Sequence, residues 1–115
     1  MELKIGDSTE SVSRVALIGM LDMVAVGQVE TKFLAATVAR GQDVIVDLSG
    51  MTFIASLGMG MLISCAKSLH RHGAKMVLLR PTGIVEEALK AVGIDQVIPI
   101  AHSLEDAYRL LVSTP

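Results

Sequence analysis

Ser56 is the residue of this chain best placed for chemistry. It lies in the run Asp47-Leu48-Ser49-Gly50-Met51-Thr52-Phe53-Ile54-Ala55-Ser56-Leu57-Gly58, which leads from an apolar strand through a loop into a helix start. A serine there is expected to be the N-cap, its hydroxyl accepting from the N–H of Gly58 or Met59, for about 1 kcal/mol. The same place has a second use. A helix N-terminus carries unpaired N–H groups and about half a positive charge, so it accommodates a phosphoryl group. Phosphorylation would add about −1.5 to −2 charges. Met51, Phe53, Leu57, Met59 and Met61 lie around Ser56 in the sequence. Part of this apolar set is expected to face a partner, the rest to fill the core. A dianion inside an apolar contact costs several kcal/mol unless it is paired. About 5.5 kcal/mol moves an equilibrium from 1:99 to 99:1. One modified serine is therefore enough to switch a partner without a change of fold.

Other reactive side chains point elsewhere. His70 and His72 stand among Lys67, Arg71 and Lys75, which describes a solvated basic helix end rather than a metal site. His102 is expected in an exposed turn. Cys65 falls on the apolar face of a helix, where a thiol behaves as a small hydrophobe. A nucleophile elbow would need Gly-x-Ser-x-Gly, and Ile54 stands in place of the first glycine. No phosphate-binding loop, dinucleotide fingerprint or metal cluster is present, so neither an enzyme nor a cofactor is expected.

The elements that position Ser56 follow from periodicity. Residues 2–6 suggest a short edge strand and 12–18 a strand. Residues 24–39 suggest a helix with Val26, Val29, Phe33, Leu34, Thr37 and Val38 on or near one face and Gly41 as its stop. Residues 43–48 and 75–79 are continuous apolar runs, the pattern of strands covered on both faces. Residues 57–72 repeat Leu57, Met61, Leu62, Cys65, Ala66 and Leu69 at helical spacing, with Gly73 as terminator. Residues 83–92 predict a helix with Ile84, Val85, Ala88, Leu89 and Val92 inward. Residues 96–100 predict a short strand, at an edge or ending at Pro99, which cannot donate to a ladder. Ser103 and Asp106 suggest a capping box opening a last helix with Leu104, Ala107, Tyr108 and Leu111 inward. The order β-β-α-β-α-β-α-β-α describes an α/β domain over residues 1–115. Its small mixed sheet has a hairpin first and parallel strands after it.

Composition narrows the function. The 115 residues are 51% apolar but only 3% aromatic, and ten Lys/Arg face twelve Asp/Glu for a net charge of −2. Disorder is excluded by the apolar content. A nucleic-acid surface would need a basic footprint or aromatic platforms, and neither is there. Mean hydropathy is high, +0.57, yet the richest stretch, Phe53 to Ala66, is too short to span a bilayer and is broken by Ser56, Gly58, Gly60 and Ser64. Glu2, Lys4 and Asp7 do not resemble a secretion signal, and a lone cysteine forms no internal disulfide. Both features fit a cytoplasmic protein.

The chain resembles the STAS domain, the fold of bacterial anti-sigma-factor antagonists. Gly19-Met20-Leu21-Asp22 is similar to the family's Gly-x-Leu-Asp turn before the first helix. Asp47-Leu48-Ser49 and Phe53-Ile54-Ala55-Ser56-Leu57-Gly58 resemble its signature, Asp-Leu-Ser followed by an aromatic-aliphatic pair and Asp-Ser-Ser/Thr-Gly. Gly73 to Leu78, Pro81 to Ile94 and Ser103 to Ala107 resemble the next strand, the third helix and the last helix start. The resemblance places Ser56 on the phosphorylated serine. It departs at Ala55, where the family has Asp, and at Leu57, where it has Ser or Thr. It implies a phosphorylation-switched binding module. The implied partner is an anti-sigma serine kinase with an ATPase-like fold, opposed by a serine phosphatase. The implied contact set is Asp22, Met51, Phe53, Ala55, Ser56, Leu57, Gly58 and Met59. Ala55 and Leu57 motivate an alternative, a STAS scaffold that binds or homo-oligomerises without phosphorylation. A serine hydrolase is the remote third reading.

Overall fold

The computed structural model describes residues 1–112. Strand β1 (Glu2–Ile5) pairs antiparallel with β2 (Val12–Leu21), and every other pairing is parallel. The sheet runs β1-β2-β3-β5-β6, with β3 (Asp43–Asp47), β5 (Met76–Leu79) and β6 (Ile100–Ala101). A further strand, β4 (Met51–Ile54), pairs with the far end of β2. Helices α1 (Met23–Ala36), α2 (Ser56–Arg71), α3 (Gly83–Ala91) and α4 (Leu104–Val112) complete the α/β fold.

Alternation along the central strands divides the core in two. Val44 and Val46 of β3, with Met76 and Leu78 of β5, pack on the side that holds Phe33 of α1, Leu62 and Leu69 of α2 and Leu89 of α3. Ile45, Val77 and Leu79 face the other way, onto Ala107 and Leu111 of α4. Strands buried on both faces need apolar residues at every position, which is why β3 and β5 are continuous runs. Each fully buried Leu, Ile or Phe contributes about 1.5–3 kcal/mol by leaving water.

Several boundaries differ from the sequence expectation, each for a physical reason. β4 was expected as loop. β2 is ten residues long and pairs first with β3 and then with β4. Within the β2–β4 pairing the register shifts between Gly19 and Met20, so Gly19 faces Met51 but Met20 faces Phe53. β4 buries only its two ends, which leaves no run or alternation to see. α1 stops at Ala36 rather than residue 39, because the buried Thr37 hydroxyl donates to the Phe33 carbonyl at 2.6 Å and competes with the helix ladder. A short 3₁₀ turn (Val38–Arg40) follows and closes on Gly41 at φ +66°. The strand expected at 96–100 is only Ile100–Ala101. Ahead of it a 3₁₀ turn at Ile94–Gln96 presses Ile94 into the core, as Ile98 is just beyond it. Leu34, Ile84 and Val92, expected inward, are exposed. Leu57 is 52% exposed.

Candidate functional site

The site is built where two helices start side by side. The Ala55 N–H donates to the Leu21 carbonyl at 2.9 Å. This bond ties the last residue of β2, which precedes Asp22 and α1, to the residue that precedes Ser56 and α2. Gly58 makes the approach possible. A Cβ on Gly58 would stand 2.8 Å from the Leu21 side chain and 3.0 Å from its carbonyl oxygen.

The two starts differ. Asp22 caps α1: its carboxylate accepts from the Ala25 N–H at 2.9 Å. Ser56, expected as the N-cap of α2, is instead its first helical residue. The cap position is Ala55, at φ −91° and ψ 166°, and a methyl group accepts no hydrogen bond. α2 also has no acidic residue in its first turn. The other two helix starts carry a negative or accepting group: Glu86 in the first turn of α3, and the Ser103 hydroxyl accepting from the Asp106 N–H of α4 at 3.1 Å. Asp106 itself pairs with Arg109 at 2.8 Å, so the anticipated reciprocal capping box is completed on one side only. Among the described α-helices, α2 alone starts with neither a side-chain cap nor an acid.

Ser56 is exposed, and Phe53 and Leu57 beside it present apolar surface. Asp22, Ala55 and Met59 are half-buried. Met51 and Gly58, expected among partner contacts, lie inside. Met51 has no exposed surface, and the Thr82 hydroxyl donates to its carbonyl at 3.2 Å, pinning β4 to the start of α3. Both residues lie beneath the exposed ones. The structure adds Met20, Met23 and Val24, all exposed. Met20 is the register partner of Phe53 across the β2–β4 pairing. Met23 and Val24 open α1 directly after its cap. The only sequence signal for them was an Asp cap followed by two apolar residues where a solvent-facing helix start is normally polar. The result is an apolar rim, with Ser56 and the free amides of α2 at its edge.

The remaining candidates fall away from this rim. Cys65 is buried, and burial pushes its thiol up to about 11, so it stays protonated at neutral pH. His70 and His72 sit at the opposite end of α2, about 20 Å from Ser56 at 1.5 Å per residue. His102 is exposed but not a bare turn residue: its ring meets the Glu86 carboxylate at 2.9 Å. Lys90 meets the same carboxylate at 2.9 Å. The bonds from Lys90 and then His102 hold the Glu86 carboxyl below its usual range. No group of three or more metal-ligating side chains occurs among the described residues. No helix of the described chain is long and apolar enough to cross a membrane.

Comparison with known proteins gives the family and the fold. A sequence model of the STAS domain matches residues 7–107. The chain is 28% identical over 102 residues to a protein of Bordetella bronchiseptica named "Putative anti-sigma factor antagonist BtrV", covering 88% of this chain and 87% of that one. Its fold is similar to the crystal structure of an anti-sigma factor antagonist from Mycobacterium paratuberculosis, with a TM-score of 0.83 at 22% identity over 97% of this chain and 96% of that one. It is also similar to the anti-sigma factor antagonist SpoIIAA in its unphosphorylated form (TM-score 0.77, 22% identity, 99% and 100% covered). The phosphorylated form of Bacillus SpoIIAA gives a TM-score of 0.69 at the same identity, with 95% and 99% covered.

Proposed function

The chain belongs to the STAS domain family, and we propose that it is an anti-sigma-factor antagonist whose grip on its partner is switched by phosphorylation of Ser56. Antagonists of this family are regulatory proteins rather than enzymes. The unphosphorylated rim of Met20, Met23, Phe53 and Leu57 docks on an anti-sigma serine kinase with an ATPase-like fold. That kinase moves a phosphoryl group from ATP to the Ser56 hydroxyl, and a phosphatase removes it.

One observation carries this reading. An exposed serine begins the only described α-helix that lacks its own negative or accepting group, and it does so at the edge of an apolar rim. The phosphoryl group would find amide donors and the positive end of α2. The same dianion would stand against the apolar contact and weaken the complex. The known phosphorylated form of SpoIIAA, which shares this fold, supports the reading.

The test compares Ser56→Ala with Ser56→Asp in a pull-down of the cognate kinase. An acid in a first helical turn stabilises the helix by about 0.3–1 kcal/mol, so loss of binding by Ser56→Asp is not a loss of fold. Ser56→Ala is expected to hold the kinase, and Ser56→Asp to release it. Mass spectrometry of the protein from its native cells should find phosphate on Ser56 under some growth conditions. Equal binding by both variants favours the second reading, a constitutive STAS scaffold, which rests on Ala55 and Leu57 standing where the family carries Asp and Ser or Thr.

A further inference from the structure

The far end of α2 holds a feature that the switch does not use. A cavity of about 440 Å³ opens between the last turns of α2 and the segment leading into β6. Its floor is apolar: Ala74 and Met76 are each 4% exposed and continue the main core. Its outer wall is Val97 and Pro99, and Val97 is an exposed apolar residue that no packing explains. Its rim is cationic, with Lys67, His70 and Arg71 from α2 and Lys75 at the entry to β5.

Positive charge gathers here on a chain of net −2: three of its ten Lys/Arg line this cavity and, among the described residues, no carboxylate does. Arg14, Lys32 and Arg40 gather in the same number at the cavity between β1 and α1, and what sets this one apart is its buried apolar floor. The nearest acid in the hydrogen-bond network, Asp43, faces the Lys75 backbone, accepting its N–H at 2.9 Å. Lys67 makes no ion pair among the described residues, and Arg71 reaches only the Ser68 hydroxyl, at 2.9 Å. A helix C-terminus carries about half a negative charge. Lys67 and Arg71 together exceed what that end requires, so positive charge stands over an apolar floor, while the Lys75 amine donates to the Leu111 carbonyl at 3.5 Å.

We propose that this cavity binds a small amphiphilic carboxylate, its apolar body on Ala74, Met76 and Val97 and its head between Lys67 and Arg71. The size is that of a small-molecule site. Phosphate sites are built on helix N-termini and nests of backbone N–H groups. This cavity lies at a helix C-terminus, which presents carbonyls, so the head group must be held by side chains alone. The planar Arg71 fork matches a carboxylate, and Lys67 supplies a second charge. The site is about 20 Å from Ser56 along α2 and does not depend on the proposed phosphorylation.

The probe is sodium octanoate, titrated into the full chain and followed by amide chemical shifts. Saturable shifts are expected in 66–76 and 96–98. 1-Octanol should bind at least tenfold more weakly, and inorganic phosphate should not saturate. Lys67→Gln with Arg71→Gln should weaken octanoate at least tenfold, as should Val97→Glu, which places an acid on the outer wall. All the changed residues are exposed, and an unchanged melting temperature checks the fold. No saturation by about 10 mM octanoate overturns the proposal. So does equal binding of 1-octanol, phosphate binding as tightly as octanoate, or octanoate affinity unchanged in both variants. Shifts confined to a second cavity, between β1 and α1 and lined by Arg14, Lys32 and Arg40, would overturn it too.

Discussion

Helices α1 and α2 begin one hydrogen bond apart, at Leu21 and Ala55, and are finished in opposite ways. α1 has a carboxylate on its amides from Asp22. α2 has a methyl group at the same position and an exposed hydroxyl one residue later. A cap contributes about 1 kcal/mol, so an uncapped start gives up stability that the neighbour keeps. What remains is an unoccupied donor group beside an apolar rim. The contrast also runs through their glycines. Gly27 of α1 has nothing within 4 Å of where a Cβ would stand, whereas Gly58 of α2 is pressed against Leu21. α1 behaves as support, and α2 is built closely around the point where its chain enters the helix.

The glycine contrast gives the largest expected effects. Gly58→Ala should destabilise by about 1–3 kcal/mol, because the buried Leu21 it meets is held on all sides. The gain in helix propensity, below about 1 kcal/mol, does not offset that. Gly27→Ala should stabilise by about 0.5–1 kcal/mol, since nothing opposes the propensity gain. Urea melts measure both, and two changes of the same sign would remove the contrast.

Asp22→Ala comes next. Removing the only side-chain acceptor at the start of α1 should cost about 1 kcal/mol, within a range of about 0.5–2. The reverse change, Ala55→Asp, should gain a similar amount, because the Ala55 backbone is already extended and needs no rearrangement. Ser56→Asp should gain less, by dipole interaction alone. The double variant Ala55→Asp/Ser56→Asp sharpens the comparison. Both carboxylates draw on the same few amides, and two like charges repel, so the gains should fall short of additive. Full additivity in thermal melts would mean that the first-turn amides of α2 are not a shared donor site for the two carboxylates.

How far the sequence foretold this depends on where each residue's environment comes from. β3 and β5 were legible because burial on both faces demands a continuous apolar run. α1, α2, α3 and α4 were legible from their spacing, although the apolar stripe overreached at Leu34, Ile84 and Val92, which lie beyond the strip the sheet covers. β4 was not legible, because Thr52 and Phe53 are exposed and its pairing with β2 spans more than thirty residues of chain. The site divides in the same way. Ser56, Phe53 and Leu57 stand out in one local segment. Met20 joins them through the β2–β4 register, and Met23 and Val24 through the Leu21–Ala55 bond that sets the two helix starts side by side. Met51 and Gly58 were assigned to the surface because local sequence does not distinguish a contact residue from the one beneath it.

The smallest expected effect concerns α3, which answers the same electrostatic demand in a third way. It has no side-chain cap at Thr82, whose hydroxyl is spent on Met51, but Glu86 in its first turn supplies the charge. Lys90 and His102 both bond that carboxylate and lower its pKa. A carboxyl with a lowered folded pKa favours the native state once pH exceeds its unfolded value, near 4.5. The contribution is lost as pH falls below that value through the folded one. Thermal melts should therefore fall more gently for Glu86→Gln than for the wild type below about pH 4.5. The effect is small because Lys90 and His102 are exposed and salt screens them, so it should shrink further in 1 M NaCl. The open start of α2 has no such carboxylate in its first turn, and Ser56→Ala should leave this acid limb unchanged. A Ser56→Ala variant that altered it would show that the ends of α2 and α3 share one charge network, and the contrast between a provided and an unprovided helix start would fail there.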